Sequence, residues 1–96
     1  MMGCYEMNVS TDVVPTRFEL TADSSGMPGL LAIRYLDADN KSIAPIVDLG
    51  WSTAGGRVVI RNTAGVTLLT LAKTGSSVAG DSPNGPRSGR VFSCSR

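Results

Sequence analysis

The chain has 96 residues, of which 42% are hydrophobic and 18% charged, with a formal net charge of +1. That profile excludes a disordered polyelectrolyte, and the near-neutral balance excludes strong electrostatic steering toward nucleic acid or anionic lipid. The length allows one modest core, so a single domain over 1–96 is expected. Ser, Thr, Val and Gly dominate a helix-poor vocabulary, which favours strands and turns.

Residues 1–11 lack periodicity and are read as a loose N-terminal arm, with the core spanning 12–73. Gly3-Cys4 after Met2 has the look of an acylated terminus, but Met7 stands where myristoylation wants Ser or Thr. Thr16–Ala22 alternates, with Phe18 and Leu20 on one side and Arg17 and Glu19 on the other, the pattern of a half-buried strand introduced by Pro15. Asp23–Gly29 is dense in turn formers.

Leu30–Ala38 fits two templates. As a strand, Leu31, Ile33 and Tyr35 share a face; as a short helix over 30–38, Leu30, Ile33 and Leu36 form a stripe. The flanking strands and the Asp37–Asn40 turn favour the strand. Lys41–Leu49 reads as a strand that Pro45 confines to an edge or breaks, because proline removes a ladder donor.

Gly55–Lys73 is the clearest stretch. Val58 and Ile60 oppose Arg57, Val59 and Arg61; after a polar break, Val66–Leu71 is apolar on both sides and belongs in the middle of a sheet. Asn62–Gly65 has the chemistry of a hairpin loop, with Asn opening the turn and Gly65 taking the left-handed conformation beside a bulge. The Gly/Ser/Pro-rich segment 74–90 reads as a long loop or tail, and 91–96 as a short returning strand or tail. The sum is an all-β fold, a small antiparallel sandwich or barrel of five to six short strands.

Histidine is absent, which removes Ser-His-Asp and Cys-His catalysis. Gly50–Ala54 resembles a nucleophile elbow, and Gly80–Ser82 is a second Ser-bearing turn, but neither Ser52 nor Ser82 has a base. Lys73-Thr74-Gly75 echoes a penicillin-binding motif without its companions. Asp37, Asp39 and Asn40 sit at calcium-loop spacing, yet Lys41 and Ser42 occupy its fifth and sixth positions; the simpler reading is a turn whose side chains cap its own backbone. No phosphate-binding fingerprint occurs: Gly55–Gly56 precedes a strand, not a helix.

Cys4 and Cys94 lie near opposite ends. Two cysteines fall short of the four Cys and His ligands of common structural zinc sites, so no metal and no cofactor are expected. A Cys4–Cys94 disulfide would close a long loop, but without a secretory signal the expected compartment is the reducing cytoplasm, where it would not form. No apolar run is long enough for a membrane helix. Asn8 and Asn40 head Asn-X-Ser triplets that matter only in a secreted chain.

The expected role is therefore a non-catalytic interaction or assembly module that binds a protein partner or itself, as a homo-oligomer, through a β surface, with nucleic acid and membrane not among its partners. Trp51, placed in a Gly-rich turn, and Arg57 and Arg61 on one strand face are the candidate binding residues. Three further readings are a virion or phage component, a carbohydrate- or small-ligand-binding domain stacking on Trp51, and a small enzyme using carboxylates or lysine.

Overall fold

Period-two alternation becomes strand wherever it occurs in the computed structural model of the protein, which describes residues 2–8, 16–44 and 48–94. Nine strands form: β1 (Gly3–Met7), β2 (Arg17–Ser24), β3 (Leu31–Leu36), β4 (Ser42–Ile43), β5 (Leu49–Ala54), β6 (Arg57–Asn62), β7 (Thr67–Thr74), β8 (Ser77–Ser82) and β9 (Gly85–Phe92). All pairings are antiparallel. Around the sheet the order is β2-β1-β9-β8-β7-β6-β5-β3, and β2 also pairs with β3, which closes an eight-stranded barrel. β4 is an extra strand beside the upper half of β3, through Tyr35↔Ile43 and Leu36↔Ser42, while β5 takes the lower half through Leu31↔Trp51 and Ala32↔Gly50.

The barrel follows from short local connections. β5 and β6 are joined by Gly55–Gly56, both at positive φ (58° and 76°), the two-residue hairpin turn whose twist matches that of its strands. At the β6–β7 turn the expected chemistry is present. Gly65 sits at φ 80°, and the Asn62 Oδ1 accepts from the backbone N–H groups of Ala64 and Val66, each at 3.0 Å. The ladder shifts register between Ile60 and Arg61, where β7 carries one extra residue, Leu68, so the turn is followed by a bulge.

Inward positions fill the barrel with one cluster that includes Tyr5, Phe18, Leu20, Ile60, Leu69 and Leu71. Tyr5 and Phe18 face each other across β1 and β2 with their rings stacked at 5.5 Å. Offset stacking and burial of rings this large dominate the energetics of so small a core. Burial raises the Tyr5 hydroxyl pKa. It also pushes Tyr35 up to about 12, with the nearby Asp48 carboxylate adding to the effect, so both phenols stay neutral at any ordinary pH.

Several expectations are corrected. Among the described residues the strands number nine, not five or six. Residues 3–7 of the expected arm form β1, because Tyr5 and Met7 supply the apolar face that a barrel wall needs; the rest of that arm from 9 onward lies outside the described residues. Leu31–Leu36 is strand, and the helical alternative for 30–38 falls. The 41–49 strand resolves into the two-residue β4 and the start of β5, with Pro45 outside the described residues. Trp51 lies within β5 and not in a turn. Most of segment 74–90 is strand: β8 and β9 pair over six positions from Ser77↔Arg90 to Ser82↔Gly85.

The two cysteines, expected to stay reduced, meet in the fold. Cys4 and Cys94 are joined as a disulfide, with a Cα–Cα separation of 5.9 Å across 90 residues of sequence. The reason is topological: β9 returns beside β1 with Cys4 opposite Phe92, so barrel closure itself delivers the two sulfurs to one place.

Candidate functional site

Among the described residues, the outer wall of β2-β1-β9 gathers three charged side chains and a ring into one polar row. Strand register stacks Arg17, Glu6 and Arg90 in one row, since Glu6 faces both arginines across its two ladders. The Glu6 carboxylate accepts from Arg17 Nη2 at 2.6 Å and from Arg90 Nη2 at 2.9 Å, and from Arg90 Nε at 2.9 Å. Both guanidinium groups also lie over the Phe92 ring, at 5.2 and 5.3 Å from its centroid, the arrangement in which a ring face attracts a cation. Arg17 further donates to the Asn40 side-chain oxygen at 2.7 Å. One row along, Cys4 stands between Glu19 and Phe92, and Glu19 is paired with Arg34 at 3.4 Å.

The two arginines hold the Glu6 carboxyl below its usual range: the Arg90 hydrogen bond is the largest cause, desolvation opposes it, and the charges of Arg17 and Arg90 together with the Arg17 hydrogen bond add to the lowering. A carboxyl whose folded pKa is lowered binds fewer protons folded than unfolded, so its stabilisation is complete above the unfolded value and vanishes as pH falls through the folded one. Glu6→Gln therefore lowers the melting temperature at about pH 7, and its difference from wild type shrinks toward zero as pH falls through the lowered folded value. A thermal melt series across pH checks this; a constant difference at every pH would place the effect in packing instead.

Trp51 is 4% exposed and its indole Nε1 donates to the Thr21 carbonyl oxygen at 2.8 Å. Its ring is a core plug linking β5 to β2 and offers no face for stacking on a sugar. Arg57 is exposed at the start of β6, and Arg61 is partly buried, its Nη1 reaching the Ser52 hydroxyl at 3.5 Å. Ser52, the elbow-like serine, thus faces a guanidinium, which is a donor and not a base. Lys73 is exposed near the end of β7. In the calcium-spaced turn, Asp37 Oδ1 accepts from the backbone N–H groups of Asp39 and Lys41 at 2.8 and 2.9 Å, and Asn40 adopts φ 62°. These are the marks of a self-capped turn.

Two open clefts flank the Met27–Leu30 loop, of about 660 and 340 Å³. The larger is lined by small and apolar side chains such as Ala22, Met27, Pro28 and Leu31; the smaller adds Arg61 and Asn62. The loop lies against β5 because Gly50 leaves room: a Cβ there would fall 2.6 Å from the Leu30 Cβ.

Arg57 and Arg61 lie on one face of β6, where period two places them, but the Arg17–Glu6–Arg90 row has no counterpart among the candidates drawn from the chain. Its only sequence signal was the alternation of Arg17 and Glu19 against Phe18 and Leu20. Nothing local announces that residue 90 will return to stand beside residue 6. Comparison of the chain with known protein families, curated proteins and solved structures yields no match.

Proposed function

We propose that this barrel is a non-catalytic interaction and assembly module that binds a carboxylate-bearing protein surface, a second copy of itself first of all, through the outer face of β5-β6-β7 around Arg57 and Arg61. The observation that carries the reading is how the arginines divide. Arg17, Arg34 and Arg90 are each ion-paired within the fold, to Glu6 or Glu19. Arg57, Arg61 and Arg87 have no carboxylate partner among the described ion pairs. Arg87 lies apart on β9 and donates to the Pro86 carbonyl oxygen at 2.9 Å, whereas Arg57 and Arg61 share one face of β6, and the residues opposite Val59 between them are small, Ser52 and Thr70.

A planar guanidinium on a wall of short side chains suits bidentate pairing with an approaching carboxylate. Barrel closure also shapes the mode of contact. A strand already paired on both edges cannot recruit another by edge addition, so the contact is face to face. The acids of a second copy are available on its turn between β3 and β4, where Asp39 is exposed.

Sedimentation velocity at concentrations on the order of tens of micromolar tests the proposal. The wild type is expected to be dimeric, with association weakened at least tenfold by Arg57→Glu combined with Arg61→Glu and by raised salt. A wild type that stays monomeric over that range, or a dimer indifferent to both substitutions, overturns it.

A further inference from the structure

We propose that, once the Cys4–Cys94 disulfide is reduced, Cys4, Cys94 and Glu19 form a thiolate–carboxylate site for a divalent cation of the zinc class on the outer wall of β1 and β2. The three ligand atoms lie within 4.8 Å of one another. Counting cysteines and histidines along the chain finds only two ligands; the barrel supplies the third by placing Glu19 directly opposite Cys4. Three protein ligands with a water in the fourth position is the arrangement of open zinc sites. Cys94 and Glu19 are only partly buried, which leaves that fourth position to solvent.

The backbone is already suited to both states. Tetrahedral zinc holds its sulfurs about 2.3 Å away, and hence about 3.8 Å from each other. A Cα–Cα separation of 5.9 Å accommodates that by side-chain rotation alone. The strand pairing that positions Cys4 does not depend on the disulfide, since β1 is held by β2 on one edge and β9 on the other. Charge also balances. Two thiolates and one carboxylate around a dication leave a net charge of −1, and Arg34, already paired with Glu19, neutralises it from the next strand while orienting the carboxylate, as outer partners of metal ligands do.

The chemistry closes. A dithiol reductant gives two electrons and two protons to the disulfide, leaving two protein thiols and the oxidised dithiol. Metal binding then displaces both thiol protons to solvent as the two thiolates coordinate. In the reverse direction a disulfide oxidant takes two electrons from the thiolates by exchange and leaves as two thiolates; the protein disulfide re-forms and the ion departs, so occupancy is gated by redox state.

The test is cobalt titration of the full chain, reduced with a phosphine under anaerobic conditions and followed by absorbance and far-ultraviolet circular dichroism. One equivalent of cobalt(II) is expected to give a thiolate-to-metal charge-transfer band and the visible bands of a tetrahedral ion, both removed by one equivalent of zinc. Oxidised protein and Cys94→Ser should give neither, and Glu19→Gln should bind at least tenfold more weakly with altered visible bands. Should reduction unfold the barrel, recovery of the β spectrum with one equivalent of zinc supports the site, and failure to recover overturns it. Absence of the bands in reduced wild type overturns the site, and a Glu19→Gln variant identical to wild type in affinity and spectrum overturns the assignment as drawn.

Discussion

Gly80→Ala is expected to cost on the order of 3 kcal/mol or more, at the upper end of what overpacking a well-ordered site produces. A Cβ on Gly80 would overlap the Thr70 carbonyl oxygen and lie 2.7 Å from its carbon. These are backbone atoms of the neighbouring strand and cannot rotate away. Gly89, opposite Val78 on β9, is similarly tight: a Cβ there would overlap the Glu6 carbonyl oxygen and lie 2.9 Å from the Met7 Cα. By alternation with Val78 and Val91 both glycines fall on the inward side, where β8 lies close against β7 and β9 close against β1, and glycine is the residue that lets a closing barrel bring strands this near. For a domain of this size a loss of 3 kcal/mol lowers the melting temperature by roughly 12 °C or more. The neighbouring Ala79, exposed on the outer side of β8, provides the control: Ala79→Ser should stay within about 0.5 kcal/mol of wild type. Equal melting temperatures for Gly80→Ala and wild type would show that the sheet does not coil this tightly there.

Removing the disulfide with Cys4→Ser and Cys94→Ser together is expected to cost about 4 kcal/mol. Linking residues 90 apart removes closure entropy from the unfolded chain, and the chain-entropy relation gives between about 4 and 5 kcal/mol for a loop near that length. The native barrel changes little, because Cys4 and Phe92 remain paired across β1 and β9. The loss therefore appears as a stabler unfolded state: a lower urea midpoint together with a steeper denaturant dependence, since the uncrosslinked chain exposes more surface on unfolding. Chemical denaturation of the double variant and of wild type measures both quantities. An unchanged midpoint would mean that the denatured ensemble already holds the two ends together.

How much of this was legible depended on how far apart the interacting residues lie in sequence. Phe18 and Leu20 against Arg17 and Glu19 gave β2 with its correct face, and Val58 and Ile60 against Arg57 and Arg61 did the same for β6. The Asn62–Gly65 turn was readable because its hydrogen bonds join atoms only a few residues apart. In segment 74–90 the same reasoning misled. Glycine there suggests flexibility, yet Gly80 and Gly89 are where the neighbouring strand comes too close for a Cβ, and a strand whose inward residues are Val78, Gly80 and Ser82 presents almost no apolar stripe to detect. Trp51 was misplaced because flanking glycines suggested a turn, when Gly50 is instead required by the loop that packs over it.

The candidate sites divide in the same way. Arg57 and Arg61 could be found from the chain because period two alone puts them on one face of one strand. The Arg17–Glu6–Arg90 row, the Cys4–Cys94 bond and the nearness of Glu19 to both sulfurs could not, since each needs β9 to return beside β1. Alternation and backbone conformations a few residues long were enough to make the chain a sheet protein, to orient β2 and β6, and to locate the Asn62–Gly65 turn. Closure of the sheet into a barrel, and the meeting of distant side chains on its wall, came from the folded chain instead, because strand order is settled by long-range pairing, where the gain arrives only after every strand is in place.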